Sequence, residues 1–561
     1  MGGDRSRVSA GALAGESTDL EPATGLAPEE AVGDGPRRPR IARNTAIFSI
    51  ATGLSRIAGL VREIVASSYF ATTGAFSAFT IAFQVPNLLR SLVADAALSA
   101  AFVPVFTELL ERKRRLDAFR LASTLFFLIL LGLGAIVAVF ILAAGVIMPL
   151  FTGSTFSASL DHLTVGLSRV LFPIVILLGL NGLVVGILQA YDHFTIPAIA
   201  PLVWNLVIIG VLIALRPLFS GPDQLYAYAI GVLVGTVVQF AMALPVLGRI
   251  DFRLRVALDW RDPRIRQVLT LMLPVTIGLG VINFDLLINS ALGTLVSQHA
   301  PRAIDAAFRI YMLPQGMFSV AVATVLFPSL SRFAARGDRD RLRATMATGV
   351  RQIMLLLIPA AVFTAVLATP VVRVIYQHGS FGSSDTDRVS LALFWFSFSL
   401  PFAGVNLLLT RTFFSLQRPW IPTALASLNM VVDAGISVAL YKPFGIGGLV
   451  IGTAVGSAGM TIAQVVYLRR ELGGMIEGGR TLLAGIQIAA SSALLGAVSW
   501  GIWRLFDSVL GRSVGAQIVS VGLAALAGLA VYASAVLALG LPEAFQIRRL
   551  LVSRIGALRG D

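Results

Sequence analysis

Seven ionisable residues stand inside stretches that are otherwise apolar: Arg56, Arg62 and Glu63, then Arg90 and Asp95, then Asp305 and Arg309. An ionised side chain at bilayer depth costs a few kcal/mol or more, so such groups face a bundle interior or a wet cavity and carry a functional reading by default. The excess is cationic. Four guanidiniums around one cavity suit a planar, multiply charged oxyanion such as a pyrophosphate or a carboxylate, because Arg offers a bidentate fork where Lys offers a point charge. With a rise of about 1.5 Å per residue, Arg56 and Arg90 fall near mid-membrane, and Arg62 and Arg309 toward the outer half. Structural pairing competes with this reading: Arg56 and Glu63 are seven apart and share a helix face, and Asp305 and Arg309 have the spacing of an ion pair. Pairing leaves Arg90 unexplained, and Asp95 reads as its gate or structural partner.

A second constellation lies further along the chain. Asn429 and Asp433 are one helical turn apart, and the apolar stretches on either side contribute Asp285 and Thr453. Carboxylate, amide and hydroxyl oxygens converging in a low-dielectric bundle suit a hard cation such as sodium, which would offset the cost of burying the acids. A structurally hydrogen-bonded Asn/Asp pair is the competing reading. Other chemistries find no support. There is no cysteine, hence no thiolate nucleophile or thiolate metal site. The two lysines, Lys113 and Lys442, are not followed by Ser or Thr, so no nucleotide-phosphate loop of the Walker type is present. The four histidines, His162, His193, His299 and His378, fall in expected loops without metal-ligand spacing and read as solvated. The Gly445 to Gly452 string lacks a preceding strand and reads as a close helix contact. The expectation is a transporter, not an enzyme, with no cofactor except a coupling sodium ion.

The elements that must position these residues are membrane helices. Over 561 residues the chain is 56% hydrophobic and 13% charged, with a mean hydropathy of +0.83, and uncharged runs long enough to span a bilayer recur, as in residues 121–151. Fourteen helices are expected, starting near 45, 76, 120, 163, 196, 224, 267, 303, 347, 389, 420, 446, 481 and 515. Alternate connections are rich in Arg, for example Arg112, Arg114 and Arg115, and Arg332, Arg336, Arg339, Arg341 and Arg343; those of opposite parity hold single basic residues, Arg216, Arg302, Arg388 and Lys442. The basic loops and both termini are therefore expected in the cytoplasm. This placement also accounts for the net charge of +14 without nucleic acid as a partner. Pro86 and Pro314, Pro104 and Pro328, and Pro197 and Pro422 recur at offsets of 228, 224 and 225 residues. This is the mark of a tandem duplication, with two six-helix copies entering the membrane from the same side. The expected divisions are a disordered tail (1–44), an N-lobe (45–248), a cytoplasmic connector (249–266), a C-lobe (267–470), two C-terminal helices (471–545) and a basic tail (546–561).

Four stretches carry a family resemblance: LSRIAGLVREIVASS (54–68), VPNLLRSLVADAALSAAFVPVF (85–106), ILQAYDHFTIPAIAPLVWNLVIIG (187–210) and FPSLSRF (327–333). The chain resembles the MurJ (MviN) lipid II flippases of the multidrug/oligosaccharidyl-lipid/polysaccharide exporter superfamily over about residues 45 to 545. The resemblance implies a bacterial plasma-membrane protein with two lobes around a cationic cavity and a groove for the undecaprenyl tail between the last two helices. It implies alternating access that moves the lipid-linked disaccharide-pentapeptide outward, with lipid II and membrane phospholipid as partners and cell-wall synthesis proteins as candidates. The family's head-group arginines match Arg56, Arg62, Arg90 and Arg309, with Glu63 at its acidic helix-one position. The chain departs from the family at Ser77 and Phe308, where Asp is common, and Asp305 stands one turn from the second. Some members bind sodium between the helices that here carry Asp285, Asn429, Asp433 and Thr453; the family's helix-seven acid aligns better with Asn289. A flippase for another undecaprenyl-linked glycan, a drug or cation antiporter of the same superfamily, and a non-transporting scaffold are the alternative readings.

Overall fold

The computed structural model describes residues 37–546 except 94, 95, 192, 251, 253, 256–258 and 474–476. Regular structure among these residues is helical. In chain order the helices are α1 (Arg37–Phe70), α2 (Gly74–Val93), α3 (Ala96–Glu111), α4 (Arg115–Ile147), α5 (Ala158–Leu171), α6 (Ile174–Ala190), α7 (Thr195–Leu215), α8 (Gln224–Arg249) and α9 (Pro263–Val296). They continue as α10 (Ala300–Pro314), α11 (Val320–Ala335), α12 (Arg339–Val366), α13 (Ala368–Tyr376), α14 (Ser383–Ser415), α15 (Trp420–Phe444), α16 (Ile446–Glu471), α17 (Gly478–Leu510) and α18 (Val514–Ala538). Among the described residues, eleven segments are long and apolar enough to cross a membrane. Their outward faces agree with that: Leu142 and Val146 on α4 are 83% and 75% exposed, an apolar surface that suits lipid better than water.

Local chemistry sets the boundaries. Asp262 accepts from the Arg264 amide at 2.9 Å and Pro263 opens α9, while Asp338 accepts from the Arg341 amide at 3.1 Å to start α12. Between α15 and α16 the chain reverses at Gly445, whose φ of +55° only glycine adopts without strain. Two expected single helices are interrupted: the span expected from 163 is α5 and α6 meeting at Pro173, and that from 303 is α10 and α11 joined by a π turn, Gln315–Ser319, directly after Pro314. α1 begins at Arg37 and α9 at Pro263. Helical turns 37–44 and 263–266 thus fall in stretches expected as tail and connector. The rest of the expected N-terminal tail and residues 547–561 lie outside the described residues.

Buried apolar side chains gather in three clusters. One draws on α1 to α8 with Ile265, Val268 and Leu287 of α9; the second on α10 to α16 with Ala71; the third on α17 and α18 with Leu355 of α12. At one end of the bundle, connections from the first and second halves of the chain meet through polar groups. The Ser380 amide donates to the Ser68 carbonyl at 2.7 Å, His299 Nδ1 lies 2.6 Å from the Thr72 carbonyl, and Thr155 donates to the Thr294 carbonyl at 2.5 Å. The Thr72 hydroxyl also bonds Asp385, which Arg388 holds at 3.1 Å. His299 is thus part of a tertiary contact and not merely solvated.

Candidate functional site

α1 and α10 cross where each turns a charged face inward. Glu63 of α1 is buried and takes three guanidiniums: Arg62 Nη2 at 3.0 Å, Arg302 Nη2 at 3.1 Å and Arg309 Nε at 3.2 Å. Asp305 shares two of them, Arg302 Nη1 at 2.7 Å and Arg309 Nε at 3.0 Å. Positions 302, 305 and 309 lie three and four apart, so one face of α10 carries all three. The Arg62 guanidinium rests 4.9 Å from the Trp204 ring centroid and that of Arg302 4.0 Å from Phe76, which places apolar surface against both cations. A small pocket opens on the cluster, lined by both acids, Arg302 and Arg309 together with Phe76, Phe79, Phe83 and Tyr228. Three cations against two anions give the cluster a positive balance.

Of the expected residues, Arg62, Glu63, Asp305 and Arg309 come together here. Arg56 is exposed on α1 and Arg90 is half-buried on α2, and neither lines this cavity. The Arg90 guanidinium is oriented by Asn87, whose Oδ1 accepts from Nε at 3.0 Å and from Nη2 at 2.9 Å; the Asn87 amide in turn donates to Asn283 on α9 at 3.1 Å. Asp95 lies outside the described residues. Arg302 corrects the sequence reading most. Expected in a connection, it sits on the first turn of α10 with a side chain only 1% exposed. Its spacing to Asp305 and Arg309 was the signal available, hidden by a span start placed one residue too late.

The second constellation assembles around Asp433, which is 1% exposed. Its carboxylate accepts from Thr453 Oγ1 at 3.1 Å, Ser437 Oγ at 3.1 Å and Asn289 Nδ2 at 3.3 Å. Asn289, and not Asp285, is the α9 residue bonded to Asp433; Asp285 is half-buried one turn away. Asn429 Oδ1 is buried without a hydrogen-bond partner. α16 approaches closely enough that a Cβ at Gly452 would lie 2.5 Å from Asp433 Oδ1, and one at Gly456 2.5 Å from Asn429 Oδ1. The donor set is all oxygen apart from the Asn289 amide. An orphaned carbonyl oxygen beside a buried carboxylate fits a small hard cation.

A profile for "Lipid II flippase MurJ" matches residues 66–516. The chain belongs to the MurJ family. The lipid II flippase MurJ of Burkholderia cenocepacia is 30% identical over 433 residues, covering 75% of this chain and 82% of the relative. The probable lipid II flippase MurJ of Vibrio cholerae is 29% identical over 517 residues, 89% and 96% of the two chains. Among solved structures, a lipid II flippase MurJ in an inward closed conformation superposes with a TM-score of 0.72 at 22% identity, covering 88% of this chain and all of that one. An inward-facing multidrug resistance MATE family transporter of the MOP superfamily gives 0.62 at 16% identity, covering 74% and 94%. The MurJ fold is thus shared more extensively than the MATE fold.

Proposed function

We propose that this chain is a lipid II flippase of a bacterial plasma membrane, carrying undecaprenyl-diphosphate-linked disaccharide-pentapeptide from the inner to the outer leaflet by alternating access. The observation that carries the chemistry is the Arg62, Arg302 and Arg309 cluster on Glu63 and Asp305, two of whose arginines line a pocket together with aromatic rings. The Arg62 and Arg309 guanidiniums would bind the diphosphate and the aromatic faces the sugar rings, with Arg56 and Arg90 contributing along the path from the inner leaflet. Fourteen spans fit the helices if α2 with α3, α5 with α6, α10 with α11, and α12 with α13 each count once. The architecture is then two six-helix lobes plus α17 and α18 beside a tail groove, with both termini cytoplasmic. On this orientation the polar seam at Ser68, Thr72, Ser380 and Asp385 closes the outer side. Asp433, Asn429, Thr453 and Asn289 with Asp285 form a sodium site whose occupancy couples the cation gradient to the cycle. A cationic cavity argues against an organic-cation antiporter, which would line it with acids.

Complementation tests the function. A cell depleted of its own lipid II flippase should grow with normal shape when this chain is expressed and should expose lipid II to an externally added enzyme. Lysis despite membrane insertion would reject the reading, and rescue confined to a different undecaprenyl-linked glycan would reassign the substrate.

A further inference from the structure

We infer that Arg302 is a positioning residue: it compensates Glu63 and Asp305 so that Arg309 keeps its guanidinium fork for an anion. This rests on the reading of Arg309 as a head-group ligand. The two arginines sit on one face of α10 and share the same acids, yet they engage them differently. Arg302 commits both terminal nitrogens, Nη1 to Asp305 at 2.7 Å and Nη2 to Glu63 at 3.1 Å, and Nη2 also donates to Ser67 at 2.8 Å. Its side chain is 1% exposed and stacked on Phe76, and its backbone N–H donates to Ser77 Oγ at 3.3 Å. Both terminal nitrogens are thus taken and only Nε is left without a partner, so it has no two-nitrogen fork to offer a ligand. Arg309 is 34% exposed and meets both carboxylates through Nε alone. Its Nη1–Nη2 edge, the one that grips a phosphate or carboxylate with two parallel bonds, is left for the cavity.

Charge arithmetic gives the reason. With Arg302, three cations face two acids and the wall keeps one net positive charge; without it the wall is neutral. Two under-compensated carboxylates in a low-dielectric site would also draw the Arg309 fork onto themselves, since bidentate pairs outcompete single contacts. Arg302 thus acts on the ligand through Arg309.

The test is titration of fluorescently labelled lipid II against purified full-length protein in detergent, across a set of charge variants. Arg302→Met should weaken binding roughly tenfold or more, the scale of losing one unit charge a few ångströms away at an interior dielectric. Arg302→Lys, which keeps the charge, should stay within about threefold of wild type. Arg302→Met with Asp305→Asn should recover most of the lost affinity, because removing an acid restores the balance. A purely structural arginine would not be rescued this way. Wild-type binding by Arg302→Met, or a double variant no tighter than the single one, would overturn the inference. If Arg302→Met does not fold, Asp305→Asn alone decides: it adds a net positive charge and should bind more tightly than wild type, and unchanged binding rejects the compensation role. Arg309→Ala separates the two readings. If it binds like wild type, the head-group assignment fails; if it weakens binding while Arg302→Met does not, only the inference about Arg302 fails.

Discussion

Arg90 is held by two bonds to a single Asn87 oxygen, so its function depends on orientation as well as charge. Arg90→Ala is expected to abolish lipid II exposure in the cell-based assay, and Arg90→Lys to recover less than about a tenth of it, because an ammonium cannot reproduce the planar fork. Full activity of the lysine variant would remove Arg90 from the head-group path. Around Asp433, Gly452→Ala should lower thermal stability by about 1–3 kcal/mol, the usual cost of overpacking, since the new methyl group would lie 2.4 Å from Ser437 Oγ. At this scale the sequence was legible where spacing alone fixes a contact, as between Asp305 and Arg309, four apart on α10. It was silent on Arg302, because hydropathy puts a basic residue after a proline into a loop, and only the helix start reveals which face it joins. Asn289 in place of Asp285 illustrates the same limit. Both lie on α9 one turn apart, and packing against α15 chooses between them.

α17 and α18 attach to the rest of the bundle through α12 and α13. Arg351 of α12 binds Glu477, just before α17, at 2.8 Å and Glu543, beyond α18, at 2.5 Å, and Tyr532 of α18 donates to the Leu355 carbonyl at 2.6 Å. At the other end Arg373 of α13 lies 3.7 Å from Asp507 of α17. Removing one partner of a buried ion pair strands the other, so Arg351→Ala should cost about 3–5 kcal/mol. The loss should appear as a lower melting temperature with faster proteolysis between α16 and α17; an unchanged melt would show that the apolar contacts suffice. None of this anchoring was readable beforehand. Hydropathy finds apolar stretches and says nothing of where a backbone breaks, which is why α5 and α6, and the short α13, were not separated in advance. The order and approximate position of the long helices were legible, because twenty-residue apolar runs have few alternatives to a span.

For the molecule as a whole, the absence of native cysteine makes closure testable. A Cβ built at Gly379 lies 3.3 Å from Ser68 Cβ, close to disulfide range. Oxidising a Ser68→Cys, Gly379→Cys variant should therefore stop transport and reduction should restore it, once the backbone shifts to relieve the 2.5 Å approach of the new Cβ to the Ser68 carbonyl oxygen and the strain of a φ of +60° at Gly379. Continued transport by the cross-linked form would show that this seam does not open. Sodium coupling has its own readout. Exchanging sodium for potassium should lower the melting temperature of the wild type but not of Asp433→Asn, and an unchanged wild type would leave protons or membrane potential as the driving force. The composition of the seam has one more consequence. The two chain halves meet there through hydrogen bonds at Ser380, His299, Thr155 and Thr72, and each such bond is worth only about 1 kcal/mol once water competes for the same groups. Water can take over such bonds one at a time, so parting the seam needs no single large step, and a cargo that binds the open form better has only to tip a balance of small terms.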